Sequence, residues 1–454
     1  MDRRRVSQAN ARHEGSRSDH RNRRLFGAPR TRGNGFRRLA RDLTRTALVL
    51  ACAGAGGGCN DEPLEVEPPN PVEIDESAIT GCPPLAPISG FVGRGDAALL
   101  LDSVTPFRST GTNLYYLQQL LSYAQQDQDP QALQAVGEVL DDLVCLSLPV
   151  ARIWGFNDSK DSSSIRRNPQ EGFREAGLRG LDQAIWEAKR RGIRVILPLV
   201  NNWGEYGGLP AYAAWASEAF GGTYAHDDFY TNAQMKQWWK DYAYTLATRV
   251  NTFTGVAYRD EPAILAWEIG NELRCASCAG TTKLPDAIAE LATFLKQVAP
   301  NQLIADGGDG FDDDPTSYVG LSNYYAVRGD EGASFTRLGR VEALDLLSYH
   351  FYPRNYGFTT ARDTEIWIER HQAIAALTGK VAYLGECGFT APDQERGQIY
   401  DGWLRHLFAE ADGQLGLFWQ LSPAARTNND GFAVYSRRDS ATAWILRRWG
   451  QAIR

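Results

Sequence analysis

The chain has 454 residues, 43% hydrophobic and 23% charged, a globular composition long enough for one large domain. A net charge of −7 excludes nucleic acid as the expected partner, because backbone binding needs clustered Lys and Arg. Twelve Trp and 19 Tyr exceed what a core needs, and such side chains also make flat apolar platforms for sugar rings.

Met1 to Arg45 is rich in Arg and contains no Lys. An apolar run, Thr46 to Ala53, and a small-residue run, Gly54 to Cys59, follow. A basic region, a short apolar region and small residues make the pattern of an export signal. The apolar run is shorter than the about 20 residues that span a bilayer. Residues 1–59 are therefore expected to be a leader, with the protein secreted or displayed at the cell surface. Small residues before a cysteine also point to a lipid anchor, at Cys59 or Cys52. Residues 60–80 are acidic and Pro-rich without periodicity and read as a disordered tether. The folded domain is expected over 81–454, as a monomer.

Phe91 to Phe107 alternates loosely around Gly and Asp, predicting a small hairpin that closes the bottom of the domain. Apolar, strand-like runs then alternate with helical ones. The strand candidates are Phe107 to Asn113, Val150 to Phe156, Ile193 to Val200, Ala263 to Glu272, Leu303 to Gly307, Leu344 to Tyr352, Val381 to Glu386 and Leu415 to Gln420. Helical patterns include Gly177 to Arg191, Ala233 to Val250, Asp286 to Val298 and Ala441 to Ile453. Eight strands alternating with helices predict an α/β fold, a single (β/α)8 TIM barrel. An open doubly wound sheet is the alternative, but no Gly-rich phosphate loop follows the first strand.

The run Ala263 to Glu272 (AILAWEIGNE) is an apolar strand that ends in an amide and a carboxyl. In an α/β barrel that end carries the chemistry. A second acid, Glu386, ends the run Lys380 to Glu386. Two strand-end carboxyls are the minimum equipment for hydrolysing a glycosidic bond. Arg152, Trp154, Asn202, Trp203, His350, Tyr352 and Trp419 fall at other predicted strand ends, so polar and aromatic groups from several strands converge on one rim.

From about Phe91 onward the chain resembles glycoside hydrolase family 5, and in detail its endo-β-1,4-mannanases. The segments ARIWGFND, VNNWGEYGG, AWEIGNELRCASC, SYHFYP, GECGF and LFWQLSP carry the resemblance, in the family's order. It implies a retaining hydrolase of β-1,4-mannosidic bonds in mannan, glucomannan or galactomannan, with no cofactor and no metal. Glu272 matches the acid/base and Glu386 the nucleophile. Arg152, Asn271, His350, Tyr352 and Trp419 match the residues that support them. Arg152 is expected to hold Glu386 ionised, while apolar neighbours keep Glu272 protonated. Trp154, Asn202 and Trp203 are candidate sugar contacts. Other β-glycanases of the family, an exo-acting β-mannosidase and a non-catalytic glycan-binding barrel are the alternatives.

Glu268, four residues before Glu272, reads as a barrel-interior group of unknown partner. Cys275 and Cys278 are expected to form a small disulfide at the rim, since no second pair completes a zinc site. Cys82 and Cys145 are candidates to join the amino-terminal segment to the first helix, and Cys387 reads as an unpaired buried thiol. The acidic run Asp306 to Asp314 lacks EF-hand spacing and reads as a solvated rim loop rather than a calcium site.

Overall fold

The computed structural model describes residues 82–427 and 430–453. The expected leader and tether, with Cys52 and Cys59, lie outside the described residues.

Eight parallel strands close into a barrel in sequence order. They are β1 (Ser109–Asn113), β2 (Val150–Arg152), β3 (Arg194–Pro198), β4 (Ile264–Glu268), β5 (Leu303–Ala305), β6 (Leu346–Phe351), β7 (Val381–Cys387) and β8 (Leu415–Phe418). Every predicted strand is present, shortened mainly at its ends. All eight are buried on both faces, and so their sequences are nearly continuous apolar runs instead of alternating ones.

The predicted hairpin is a three-stranded antiparallel sheet, Val92–Arg94, Leu99–Leu101 and Thr105–Pro106. Its Val92 and Leu99 join Val150, Leu303, Leu346 and Val381, from the starts of barrel strands, in one apolar cluster. The sheet therefore plugs the end of the barrel opposite the strand C-termini. Burial of each plug side chain contributes about 1.5–3 kcal/mol.

Helices cover the barrel where the 3.6-residue pattern predicts them. Glu175–Lys189 buries Leu178, Leu181, Ile185 and Ala188, one face of the helix. Gly180 lets this helix approach Leu117–Asp127, since a Cβ there would meet Ser122 Oγ at 2.1 Å. Cys82 and Cys145 form a disulfide that ties the first described residue to helix Pro130–Cys145. That helix is the second after β1, not the first.

Candidate active site

The chain leaves β4 and reaches Asn271 and Glu272 through two backbone bonds, Asn271 N–H to Val200 O (2.7 Å) and Glu272 N–H to Gly307 O (2.9 Å). Glu272 adopts φ +52°, a left-handed conformation that costs a non-glycine residue about 1–3 kcal/mol. Gly307, itself at φ +75°, makes this possible: a Cβ there would lie 2.1 Å from Gly270 O.

Glu272 and Glu386 face each other across a small gap. One oxygen of each, together with His350 Nδ1, lies within 4.8 Å of the others. Glu386, buried in β7, accepts from Arg152 Nη1 at 2.6 Å and from the Tyr352 hydroxyl at 2.7 Å. Glu272 accepts from Trp203 Nε1 at 2.7 Å, and its other oxygen lies 2.8 Å from His350 Nδ1. The trio is close enough to hold a cation, but the neighbouring Arg152 charge, 2.6 Å from Glu386, opposes one.

The two carboxyls sit in opposed environments. Burial pushes Glu272 up, but His350, then Arg274 and the Trp203 N–H, outweigh it and hold the carboxyl at about 2. Burial raises Glu386, and the Glu272 charge adds to this against His350 and Arg152. His350 is itself raised, since Glu386 and Glu272 outweigh its desolvation. This order reverses the sequence expectation. Charged and hydrogen-bonding partners surround Glu272 where apolar ones were expected, with His350 Nδ1 the foremost of them, 2.8 Å away.

Arg152 is fully buried at the end of β2 and also donates to Asn271 Oδ1 (2.8 Å) and Asn113 Oδ1 (3.1 Å). Asn271 donates to Asn201 at 3.0 Å, which leaves one amide hydrogen free for a ligand. Trp419 stacks on Tyr115 (centroids 4.9 Å, 8° between planes), and its indole N–H donates to Asp430 at 2.8 Å. Trp154 lines the cleft and packs against Phe156 and Tyr115 (centroids 5.0 Å from each) and Tyr206 (5.3 Å). Trp203 is 42% exposed, with the Arg274 guanidinium 5.2 Å from its ring.

Asn202 is not a cleft residue. Its Oδ1 accepts from Arg274 N–H at 2.9 Å and lies 2.9 Å from His226 Nε2, so it braces the loop after β4 from behind. The preceding residue, Asn201, lines the cleft instead. Cys275 and Cys278 form a disulfide in that same loop, and Cys387 is buried and unpaired. The acidic run is not a solvated loop, because Asp306, Asp309 and Asp312 are buried. Asp312 accepts from Thr336 and Ser334, and Asp309 pairs with Arg274.

Sequence reasoning missed Arg274, Tyr115, Phe311 and Arg426, which line the cleft of about 740 Å³ around the two carboxyls. Arg274 lies two residues after Glu272, in the segment already singled out, and was within reach. The others sit on loops whose course the sequence does not reveal. A larger cavity, about 890 Å³, lies beside Cys82, Leu85 and Trp186 and contains no paired carboxyls.

Residues 90–378 match the model of the family described as glycoside hydrolase family 5, β-mannosidase-like. The chain belongs to glycoside hydrolase family 5. Among members of this family, it is 34% identical over 378 residues to a putative mannan endo-1,4-β-mannosidase of Oryza sativa subsp. japonica, covering 79% of this chain and 75% of that protein. A putative mannan endo-1,4-β-mannosidase of Arabidopsis thaliana is 38% identical over 265 residues. That match covers 58% of this chain and less than two thirds, 63%, of the Arabidopsis protein. The endo-1,4-β-mannanase structure from Rhizomucor miehei superposes with a TM-score of 0.69 at 31% identity, covering 80% of this chain and 99% of that one.

Proposed function

We infer that this family 5 enzyme is a retaining endo-β-1,4-mannanase acting on mannan, glucomannan or galactomannan. The observation that carries the reading is the gap between the carboxyls. Oxygens of Glu272 and Glu386 within 4.8 Å of each other fit the about 5–5.5 Å of double displacement. The wider spacing of inversion leaves room for a water that this gap does not.

In the first step Glu386 attacks the anomeric carbon while Glu272 gives a proton to the departing oxygen. The glycosidic bond breaks and a glycosyl ester to Glu386 forms. Glu272 draws that proton from His350 across their 2.8 Å contact. In the second step Glu272 takes a proton from water, which attacks the same carbon and frees Glu386. Tyr352, whose burial keeps it a phenol, holds the nucleophile's second oxygen. The free amide hydrogen of Asn271 is available to the sugar's 2-hydroxyl, axial in a mannoside. Trp419, backed by Tyr115, floors the reacting sugar.

Internal cleavage is supported by cleft walls on both sides of the carboxyl pair. Trp203 bonds Glu272 and is joined through Arg274 to Phe311, while Tyr115, under Arg426, stacks on Trp419. Carob galactomannan should be hydrolysed to a mixture of oligosaccharides and carboxymethylcellulose left intact. Release of mannose alone would make the enzyme exo-acting, and the reverse substrate preference an endoglucanase.

We also propose that the enzyme is exported and works in an oxidising compartment. Two disulfides and the leader-like residues 1–59 support this. Fractionation of cells producing the full chain tests it, with the enzyme expected in the medium or at the surface.

A further inference from the structure

We propose that Glu268 is a positioning residue that serves as the standing counter-charge of Arg152, so that Glu386 can give up its own charge when it forms the ester. The inference rests on the assignment of Glu386 as nucleophile.

Arg152 has five N–H donors, and all are engaged. The Nε and Nη2 edge goes to Glu268, with contacts of 2.8, 3.0 and 2.7 Å. The second Nη2 hydrogen goes to Asn271, and the two on Nη1 go to Glu386 and Asn113. Glu268 thus takes the two-pronged grip that fixes a guanidinium plane, and Glu386 takes a single N–H. Glu268 is fully buried and is held from its far side by the Tyr383 hydroxyl, 2.6 Å away. It touches neither the cleft nor the other members of the reacting pair.

The division of charge has a chemical consequence. When the Glu386 oxygen bonds to the anomeric carbon and the glycosidic bond breaks, the negative charge of Glu386 is consumed. The proton from Glu272 leaves with the aglycone. With Glu386 as its only partner, the buried Arg152 would become an uncompensated cation, and forming the ester would be opposed. Glu268 takes no part in these bond changes and keeps Arg152 paired. It also weakens the hold of Arg152 on Glu386, leaving the nucleophile more reactive.

The charged and titratable groups around this pair are Arg152 from β2, Asp306 after β5, His350 and Tyr352 at β6, Tyr383 in β7 and Glu272 after β4. Glu268→Gln removes the Glu268 charge at nearly unchanged volume. The amide oxygen can still accept from Arg152 Nη2 and its nitrogen can donate to the Tyr383 oxygen, while the Nε contact to that same atom is given up. Removing a neighbouring negative charge and concentrating Arg152 on Glu386 lowers the pH at which Glu386 ionises.

The test uses the full-length enzyme with 2,4-dinitrophenyl β-mannobioside, whose leaving group needs no protonation. For Glu268→Gln the rate of dinitrophenol release in the first turnover should fall about 100-fold, the scale on which loss of one electrostatic partner in a buried site costs rate. Breakdown of the glycosyl-enzyme, which returns the charge to Glu386, should not slow, and KM should be little altered. The acidic limb of kcat/KM should move to lower pH. Tyr383→Phe should move that limb the other way, because Glu268 then turns more of its charge on Arg152. An unmoved acidic limb in Tyr383→Phe, or equal losses in both steps for Glu268→Gln, would overturn the proposal. A wild-type enzyme releasing α-configured product would instead overturn the nucleophile assignment.

Discussion

His350 Nδ1 stands 2.8 Å from Glu272 and 3.5 Å from Glu386, so one imidazole serves two carboxyls. The charges of Glu386 and Glu272 outweigh its desolvation and raise the imidazole above its ordinary range. The basic limb of kcat/KM should therefore lie above the ordinary imidazole value of about 6.5. In His350→Asn the proton has only Glu272 to rest on, and the basic limb should move to lower pH. Rates measured from pH 4 to 10 check this. An unmoved limb would show that His350 does not store the proton.

Glu386→Ala should abolish turnover while leaving binding of mannan oligosaccharides measurable by calorimetry. Glu272→Ala should behave differently. It should lose mannan hydrolysis but keep activity on a dinitrophenyl mannobioside, and azide should accelerate release of a β-mannosyl azide. Rescue of Glu386→Ala by azide should give the α-azide. Exchange of these two outcomes would exchange the two roles.

Gly307→Ala tests the strained turn. The new Cβ would press on Gly270 O and sits at a left-handed φ, so a loss of about 1–3 kcal/mol in urea unfolding is expected. Because Gly307 O holds the Glu272 N–H, kcat should fall as well. A loss of stability with kcat intact would separate the turn from the placement of Glu272.

The two disulfides should separate stability from activity. Cys82–Cys145 spans 63 residues of sequence and Cys275–Cys278 only 3. Loop entropy makes the first worth about 4 kcal/mol and the second about 2. Replacing Cys82 and Cys145 by Ser should lower the Tm strongly and leave kcat alone. Replacing Cys275 and Cys278 should lower Tm less and kcat more, since that loop carries Arg274 and is braced by Asn202.

The barrel was legible because parallel strands buried on both faces write themselves as unbroken apolar runs, and Glu272 and Glu386 because each interrupts such a run at its end. What stayed hidden depends on three-dimensional pairing. The grip of Arg152 on Glu268 joins residues 116 apart, and no local pattern announces it. Asn202 lies beside Asn201 in sequence, yet the turn after β3 sends one into the cleft and the other behind the β4 loop. The protonation order was misjudged for the same reason: His350, Arg274 and Trp203 reach Glu272 from three separate segments.

The central claim is that Glu272 and Glu386 act on one anomeric centre from opposite faces. Proton NMR of a mannohexaose digest, recorded before mutarotation, tests it most directly. The account predicts that the first reducing ends to appear are β-anomers. Initial α-anomers would mean inversion and would contradict the double displacement.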